Sequence, residues 1–393
     1  MSETPDVYAA EPIPDAARAE IERLLQSGDL FRYTAPEGAP VALLEKEFAA
    51  HIGSSYALAV SSCSAALFLS LRALDLPPGA RVLIPAFTFA AVPSAVVHAG
   101  CDPVLVEVGD NFRIDLGDFM TKLDGAAAVL ISHMRGHTSD MDAIMAACDA
   151  RGIPVIEDAA HSLGTLWSGR KIGTIGKVGC FSFQSYKMVN GGEGGMLVTD
   201  DPEIAARAVI MSGAYEHNWK KHSGLQNSYL HWQNRLPLYN MRMQNLSAAV
   251  IRPQIPLIEA RVAAGRANHD YVAERLNSAP WFHVPPALPQ EVRAPDSLQF
   301  NLCGVANDGD ALAFQKAADR RGVSVQIFGL SPDNARAFWN WQFLGPEPDL
   351  PRTRAMLMRA CDLRLPTRLT RQDLDHIVSA LMGAAKDSLP GSR

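Results

Sequence analysis

From Tyr56 to about residue 210, short apolar, β-branched runs alternate with helical stretches, and no other feature of the chain limits its fold as much. The runs Tyr56–Val60, Arg81–Ile84, Val104–Val108, Ala128–Ile131, Val155–Glu157, Gly179–Phe183 and Met196–Thr199 read as strands, separated by helices such as Ala65–Ala73 and Met141–Arg151. Strands that are apolar along their whole length are covered on both faces, which gives an α/β fold around a mostly parallel seven-stranded sheet. Ligands of such a sheet gather at the carboxyl ends of its strands.

The 393 residues, 48% of them hydrophobic, suffice for two domains. We expect an N-terminal arm and helix over residues 1–40, a large domain over 41–250 and a smaller α+β domain over 251–393. Asp15–Gln26 has helical spacing and stops at Ser27-Gly28; the loop Arg32–Pro40 and a helix over Leu43–His51 follow. Gly213–Tyr239 is rich in His, Trp, Asn and Tyr, lacks periodicity and is too long for an ordinary connection, so it reads as a lid or subunit contact. A helix from Gln244 to Arg261 or beyond leads to apolar runs at Gln299–Val305 and Val323–Phe328 and helices at Ala311–Arg320 and Arg371–Met382.

A net charge of −6, with both signs interspersed, offers no basic footprint for nucleic acid or a membrane surface, which leaves small molecules as partners. The six cysteines form no CxxC pair, so neither a disulfide framework nor a zinc knuckle is indicated, and a reducing cytoplasm fits best. Met1–Pro14 has no signal-peptide pattern, and no apolar run approaches the roughly 20 residues of a membrane span.

Four segments carry the chemistry, each at a strand end or helix start. Lys187 follows a strand and precedes the glycine-rich Asn190–Gly195 turn. An amine in a partly dry site has a lowered pKa, condenses with an aldehyde and can later move a proton. Taken alone, a lysine beside glycines is ordinary surface. Val155–Ser162 delivers Asp158 at a strand end and His161 three residues on. Such a carboxylate can pair with a pyridinium nitrogen, and such a histidine can contact or stack on the ring, although Asp158 equally suits a helix N-cap. Ser62, Cys63 and Ser64 form a small-residue turn between strand and helix, where free backbone N–H groups cradle an anion; Ser182 can reach the same phosphate. In Pro85–Ala90 an aromatic, Phe89 by preference, can cover a flat ring, with core packing as the alternative.

In this order and spacing the four segments resemble the DegT/DnrJ/EryC1/StrS family of sugar aminotransferases over nearly the whole chain. The stretch after Lys187 through Asp201 and the Glu157–His161 segment match its signatures, and Tyr239–Ala249 is similar to its asparagine-arginine helix entry. The resemblance implies a fold type I architecture and pyridoxal 5'-phosphate held by Lys187 as a Schiff base. It implies a homodimer with shared sites, in which Asn240 reaches the neighbouring subunit's phosphate. It also implies a two-stage reaction: glutamate or glutamine donates the amino group, and the resulting pyridoxamine phosphate aminates a keto- or aldehydo-sugar, nucleotide-linked or acidic. Amination of a cyclitol or aminobenzoate precursor is the near alternative. A non-catalytic binding relative is the distant one, and the 3-dehydratases of this fold carry histidine where Lys187 stands.

The chain departs from the family in three places. Ser62-Cys63-Ser64 stands where Ser-Gly-Thr is usual. Arg135, in His133–His137, replaces a common aromatic and hints at an anionic acceptor, although a loop charge is more often solvated surface. The two histidines lack the glutamate of a zinc helix. Gln326–Trp341 departs from a histidine-tyrosine pattern; Arg336, Trp339 and Trp341 there suit an anionic polyol, or simple packing, which is the safer reading.

Overall fold

The computed structural model describes residues 6–34 and 38–389; residues 35–37 of the loop and the first five residues of the acidic N-terminal stretch lie outside the described residues. The main sheet contains β1 (Tyr56–Val60), β2 (Arg81–Pro85), β3 (Asp102–Val106), β4 (Ala128–Ser132), β5 (Val155–Asp158), β6 (Val178–Ser182) and β7 (Gly195–Thr199), in the order β1-β7-β6-β5-β4-β2-β3. Strands β2 to β6 are parallel, and β7 runs against both β6 and β1. This is the expected α/β architecture. β3 starts two residues early and stops at Val106, because Val108 bridges to Ile114 instead.

Successive strand residues feed opposite faces. Val82 and Ile84 join a core with Leu67, Leu130 and Ile210, whereas Leu83 joins Phe48, Ile131 and Phe181 on the other side. Each such side chain removed from water contributes roughly 1.5–3 kcal/mol, which is why the strands read as unbroken apolar runs. The helix expected from Gln244 is interrupted: Asn245–Ile251 gives way to a tight 3-10 stretch, Arg252–Leu257, before Ile258–Asn277. Pro253 and Pro256 cause the break, since neither can donate to the helical ladder.

A second sheet follows, with β8 (Phe282–His283), β9 (Ser297–Leu302), β10 (Gln326–Ile327) and β11 (Ala360–Arg364) in the antiparallel order β8-β9-β11-β10. It packs on the helices Asp308–Asp319 and Arg371–Ser388 through Phe300, Phe314, Ile377 and Leu381. The apolar run Val323–Phe328 yields only the two-residue β10 before turning at Phe328–Leu330. Polar links join this unit to the large sheet: Arg135 to Asp362 at 2.5 Å, His137 to Gln299 at 3.0 Å, and Arg113 to Glu291 at 2.6 Å.

The aperiodic Gly213–Tyr239 stretch contains two short helical pieces, Asn218–Lys221 and Gln226–Trp232. Its inner face is anchored by buried Trp219 and Tyr229, and by His222, whose Nε2 lies 2.9 Å from the Tyr33 hydroxyl. Tyr215, Leu230 and Leu238 stay exposed. Among the described residues no helix is long and apolar enough to cross a membrane.

Candidate active site

The carboxyl ends of β1, β2, β4, β5 and β6 open onto one cavity of about 430 Å³. Its walls include Ser62, Cys63 and Ser64 after β1, Phe89 after β2, Arg135 after β4, Asp158 and His161 from β5, and Ser182 and Lys187 from β6. Eight of the nine expected cofactor contacts therefore meet in one place. Asn240, the ninth, is exposed and outside this lining. It precedes Met241, whose carbonyl accepts from the Ser61 N–H at 2.8 Å beside the phosphate turn.

Lys187 sits on a tight turn, its N–H donating to the Gln184 carbonyl at 2.8 Å. Burial pushes its amine down to about 8, helped by the charge of Arg135 and opposed by Asp296 and Asp158. A 2.6 Å hydrogen bond links Nζ to His161 Nε2. Burial, with Lys187 alongside, holds the His161 imidazole well below its ordinary pKa, so the ring is neutral. Its Nδ1 is 3.8 Å from Asp296 of the second unit.

Asp158 lies opposite Ser132 in the parallel register of β4 and β5. The Ser132 hydroxyl donates to Oδ2 at 2.8 Å, and the Ala160 N–H to Oδ1 at 3.1 Å. The chain leaves β5 through turns, so the helix N-cap alternative for Asp158 is replaced by this local turn. Its neighbour Glu157 points the other way, accepting from the N–H groups of Gly173, Ile175 and Gly176 and from His133. His133 and His137 thus have separate partners, and among the described residues no cluster could hold a metal.

Ser62 caps the helix Cys63–Ala73, its hydroxyl accepting from Ala65 N at 3.1 Å. The N–H groups of the first helical turn face out of the helix end, as an anion site requires. Cys63 is helical and unstrained, its Sγ 3.8 Å from Asp158 Oδ1. The close backbone approach occurs at Gly195 instead: a Cβ there would lie 2.3 Å from the Ser62 carbonyl carbon. These residues fit a phosphopyridine. They present an anion cradle, a carboxylate and an amine around one cavity, with Phe89, 46% exposed, free to cover a ring.

Contrary to the surface reading, Arg135 is buried and adopts a left-handed backbone (φ 54°, ψ 26°) that few non-glycine residues tolerate. Trp341 packs as expected, its Nε1 donating to the Ala335 carbonyl at 2.9 Å, and Trp339 stacks against Arg354. Arg336, beside them in sequence, lines the cavity. Sequence reasoning missed Arg364, Tyr186 and Asp296. The first two line the cavity, and Asp296 contacts His161. Tyr186 directly precedes Lys187 in its segment, whereas Arg364 and Asp296 lie in no motif, and only their position in and just before apolar strands marks them as unusual.

The DegT/DnrJ/EryC1/StrS aminotransferase family model matches residues 13–382. The spore coat polysaccharide biosynthesis protein SpsC of Bacillus subtilis (strain 168) is 30% identical over 383 residues, 93% of this chain and 94% of that protein. The 3-amino-5-hydroxybenzoate synthase of Amycolatopsis mediterranei (strain S699) is 32% identical over 262 residues, 66% of this chain and 65% of that protein. A crystal structure of 3-amino-5-hydroxybenzoic acid synthase superposes with a TM-score of 0.85 at 23% identity, over 98% of this chain and all of that one, and confirms the fold. The chain belongs to the DegT/DnrJ/EryC1/StrS aminotransferase family and is a pyridoxal-phosphate-dependent transaminase.

Proposed function

We propose that the protein moves an amino group from glutamate or glutamine to a keto- or aldehydo-sugar, nucleotide-linked or acidic. The observation that carries this reading is a buried amine, Lys187, with its pKa pushed down to about 8, sharing one cavity with Asp158 and the Ser62–Ser64 turn. Bound pyridoxal phosphate supplies an electron sink for a carbanion formed beside its ring. The Ser62–Ser64 backbone and Ser182 hold the phosphate, Asp158 faces the ring nitrogen, and Phe89 covers a ring face. Lys187 would hold the aldehyde of the bound group, and its amine of lowered pKa would carry the proton in both half-reactions. Neutral His161 accepts a hydrogen bond from that amine and keeps it aimed.

A second acceptor class, a cyclitol or aminobenzoate precursor, draws support from the buried Arg135 and from the aminobenzoate named for the Amycolatopsis relative. Exposed Tyr215, Leu230, Leu238 and Asn240 support a homodimer built on the Gly213–Tyr239 stretch.

Purified, reconstituted protein is expected to absorb in the visible, and borohydride to fix the cofactor on the peptide bearing Lys187. Lys187→Ala is expected to lose turnover by more than about 10³-fold. Full turnover in that variant, or label on another lysine, rules the assignment out.

A further inference from the structure

Arg336 stands in the cavity wall. Among the described residues its guanidinium makes no hydrogen bond or ion pair, and its Nε is fully shielded. The Phe89 and Phe328 ring centres each lie 5.9 Å from its guanidinium carbon. Burial and the charge of Arg135 bring its pKa down to about 10, so it remains charged at neutral pH. Taking a guanidinium out of water and leaving it unpaired is costly unless something else completes it.

The backbone beneath it is fixed. The Arg336 N–H donates to Asn334 Oδ1 at 2.9 Å, Asn334 Nδ2 donates to the Phe328 carbonyl at 3.0 Å, and Ala337 bridges to Phe87 after β2. The side chain is thus presented from an ordered platform. Around it stand Arg135, paired with Asp362, and Arg364, which donates to the Tyr186 carbonyl and feels the charges of Asp296 and Asp362. Arg135 is thus paired with Asp362 and Arg364 feels Asp296 and Asp362, whereas the Arg336 guanidinium makes no hydrogen bond or ion pair among the described residues. An unpaired planar fork suits a planar anion such as a carboxylate. The cofactor's phosphate has its own cradle on the opposite, β1 side.

We propose that Arg336 seats a carboxylate carried by the substrate, with the Arg135–Asp362 pair setting the sign of that end of the cavity. This rests on the transaminase reading above and assigns a seat for the carboxylate of one of its two substrates. A keto-acid acceptor and the amino-acid donor both present that group, and the two half-reactions separate them.

The test uses reconstituted wild type, Arg336→Gln and Arg336→Lys. For the acceptor arm, enzyme loaded with pyridoxamine phosphate is mixed with 3-oxocyclohexane-1-carboxylate or its carboxamide, and return of the visible band is followed. For the donor arm, loss of that band with L-glutamate is followed. We expect wild type to prefer the carboxylate at least tenfold, Arg336→Gln to abolish the preference, and Arg336→Lys to restore part of it. If the preference survives in Arg336→Gln while half-saturation by glutamate rises tenfold, the carboxylate seat stands and belongs to the donor. If neither arm moves, or wild type treats acid and amide alike with glutamate binding unchanged in the variants, the proposal is overturned. A wild type without any visible band fails the underlying cofactor reading instead, a result separate from any effect at Arg336.

Discussion

The two walls of the cavity differ in how their polar groups are satisfied. On the large-sheet side, Asp158 is held by Ser132 and Ala160, Ser62 by Ala65, and Lys187 by His161. On the second-sheet side, Arg336 makes no hydrogen bond or ion pair among the described residues, and Arg364 donates to the Tyr186 carbonyl and lies over the Tyr186 ring. A wall whose groups are fixed in advance suits a cofactor that is the same in every turnover. A wall left with an unpaired guanidinium suits the component that changes. The difference separates a wall proposed to hold the cofactor from one proposed to seat the substrate.

If the sheet wall carries the chemistry, Asp158→Asn should be the most damaging substitution after loss of the lysine itself. The amide retains an oxygen for the Ala160 N–H, so the fold is expected to survive with an unchanged melting temperature. The rate at which glutamate bleaches the visible band should fall by about 10²–10⁴-fold. A smaller loss than that of Arg336→Gln would invert the comparison and move the chemistry toward the second domain.

The same contrast decides what was legible in the sequence. Asp158, Lys187 and the Ser62–Ser64 turn sit within short segments whose strand-then-turn pattern is local, so each could be read with its neighbours. Seven strands were visible within a few residues because each buries both faces. Arg364 and Asp296 belong to a strand and its approach, and Arg364 reaches the cavity and Asp296 reaches His161 where the Arg135–Asp362 and His137–Gln299 links join the second sheet to the first. Nothing within a few residues of them announces that. Arg135 was misjudged for a related reason: its partner Asp362 lies 227 residues away in the chain. The helix break at Arg252 is local, set by Pro253 and Pro256, and legible in the sequence.

The glycine turn offers a second way to sharpen the comparison, at smaller cost to the rate. Gly195 opens β7 between Val60 and Ser182, and its missing Cβ lets β7 pass directly beneath the Ser62–Cys63 peptide. Gly195→Ala forces a methyl into backbone, which cannot yield as a flexible side chain does, and is expected to lower stability by about 1–3 kcal/mol. Because the displaced peptide is the proposed phosphate cradle, pyridoxal phosphate affinity should fall at least tenfold in an equilibrium titration. Carboxylate preference in the acceptor half-reaction should stay as it is. If Gly195→Ala changed that preference while leaving cofactor affinity alone, the division between the walls would be wrong.

The smallest effect comes from pH, and its sign is fixed by burial. Taking the Lys187 ammonium out of water favours the neutral amine, so the folded pKa is about 8, below the ordinary lysine value. In the cofactor-free protein, labelling of Lys187 by trinitrobenzenesulfonate, read peptide by peptide, should rise about tenfold from pH 7 to 9 and level off near the top. An exposed lysine, with a pKa of about 10.4, rises roughly a hundredfold over that range without a plateau. The linkage runs the same way. Between the folded and unfolded pKa values the unfolded chain binds more protons, so stability should rise with pH from about 8 to 10.5 and be flat below. Lys187→Met removes a buried ammonium, and it is expected to stabilise the cofactor-free protein at pH 7 by about 1–3 kcal/mol, with the gain shrinking by pH 10. A pH-independent gain would trace it to packing, and the sheet wall would then lose the tuned amine that sets it apart from the arginines it faces.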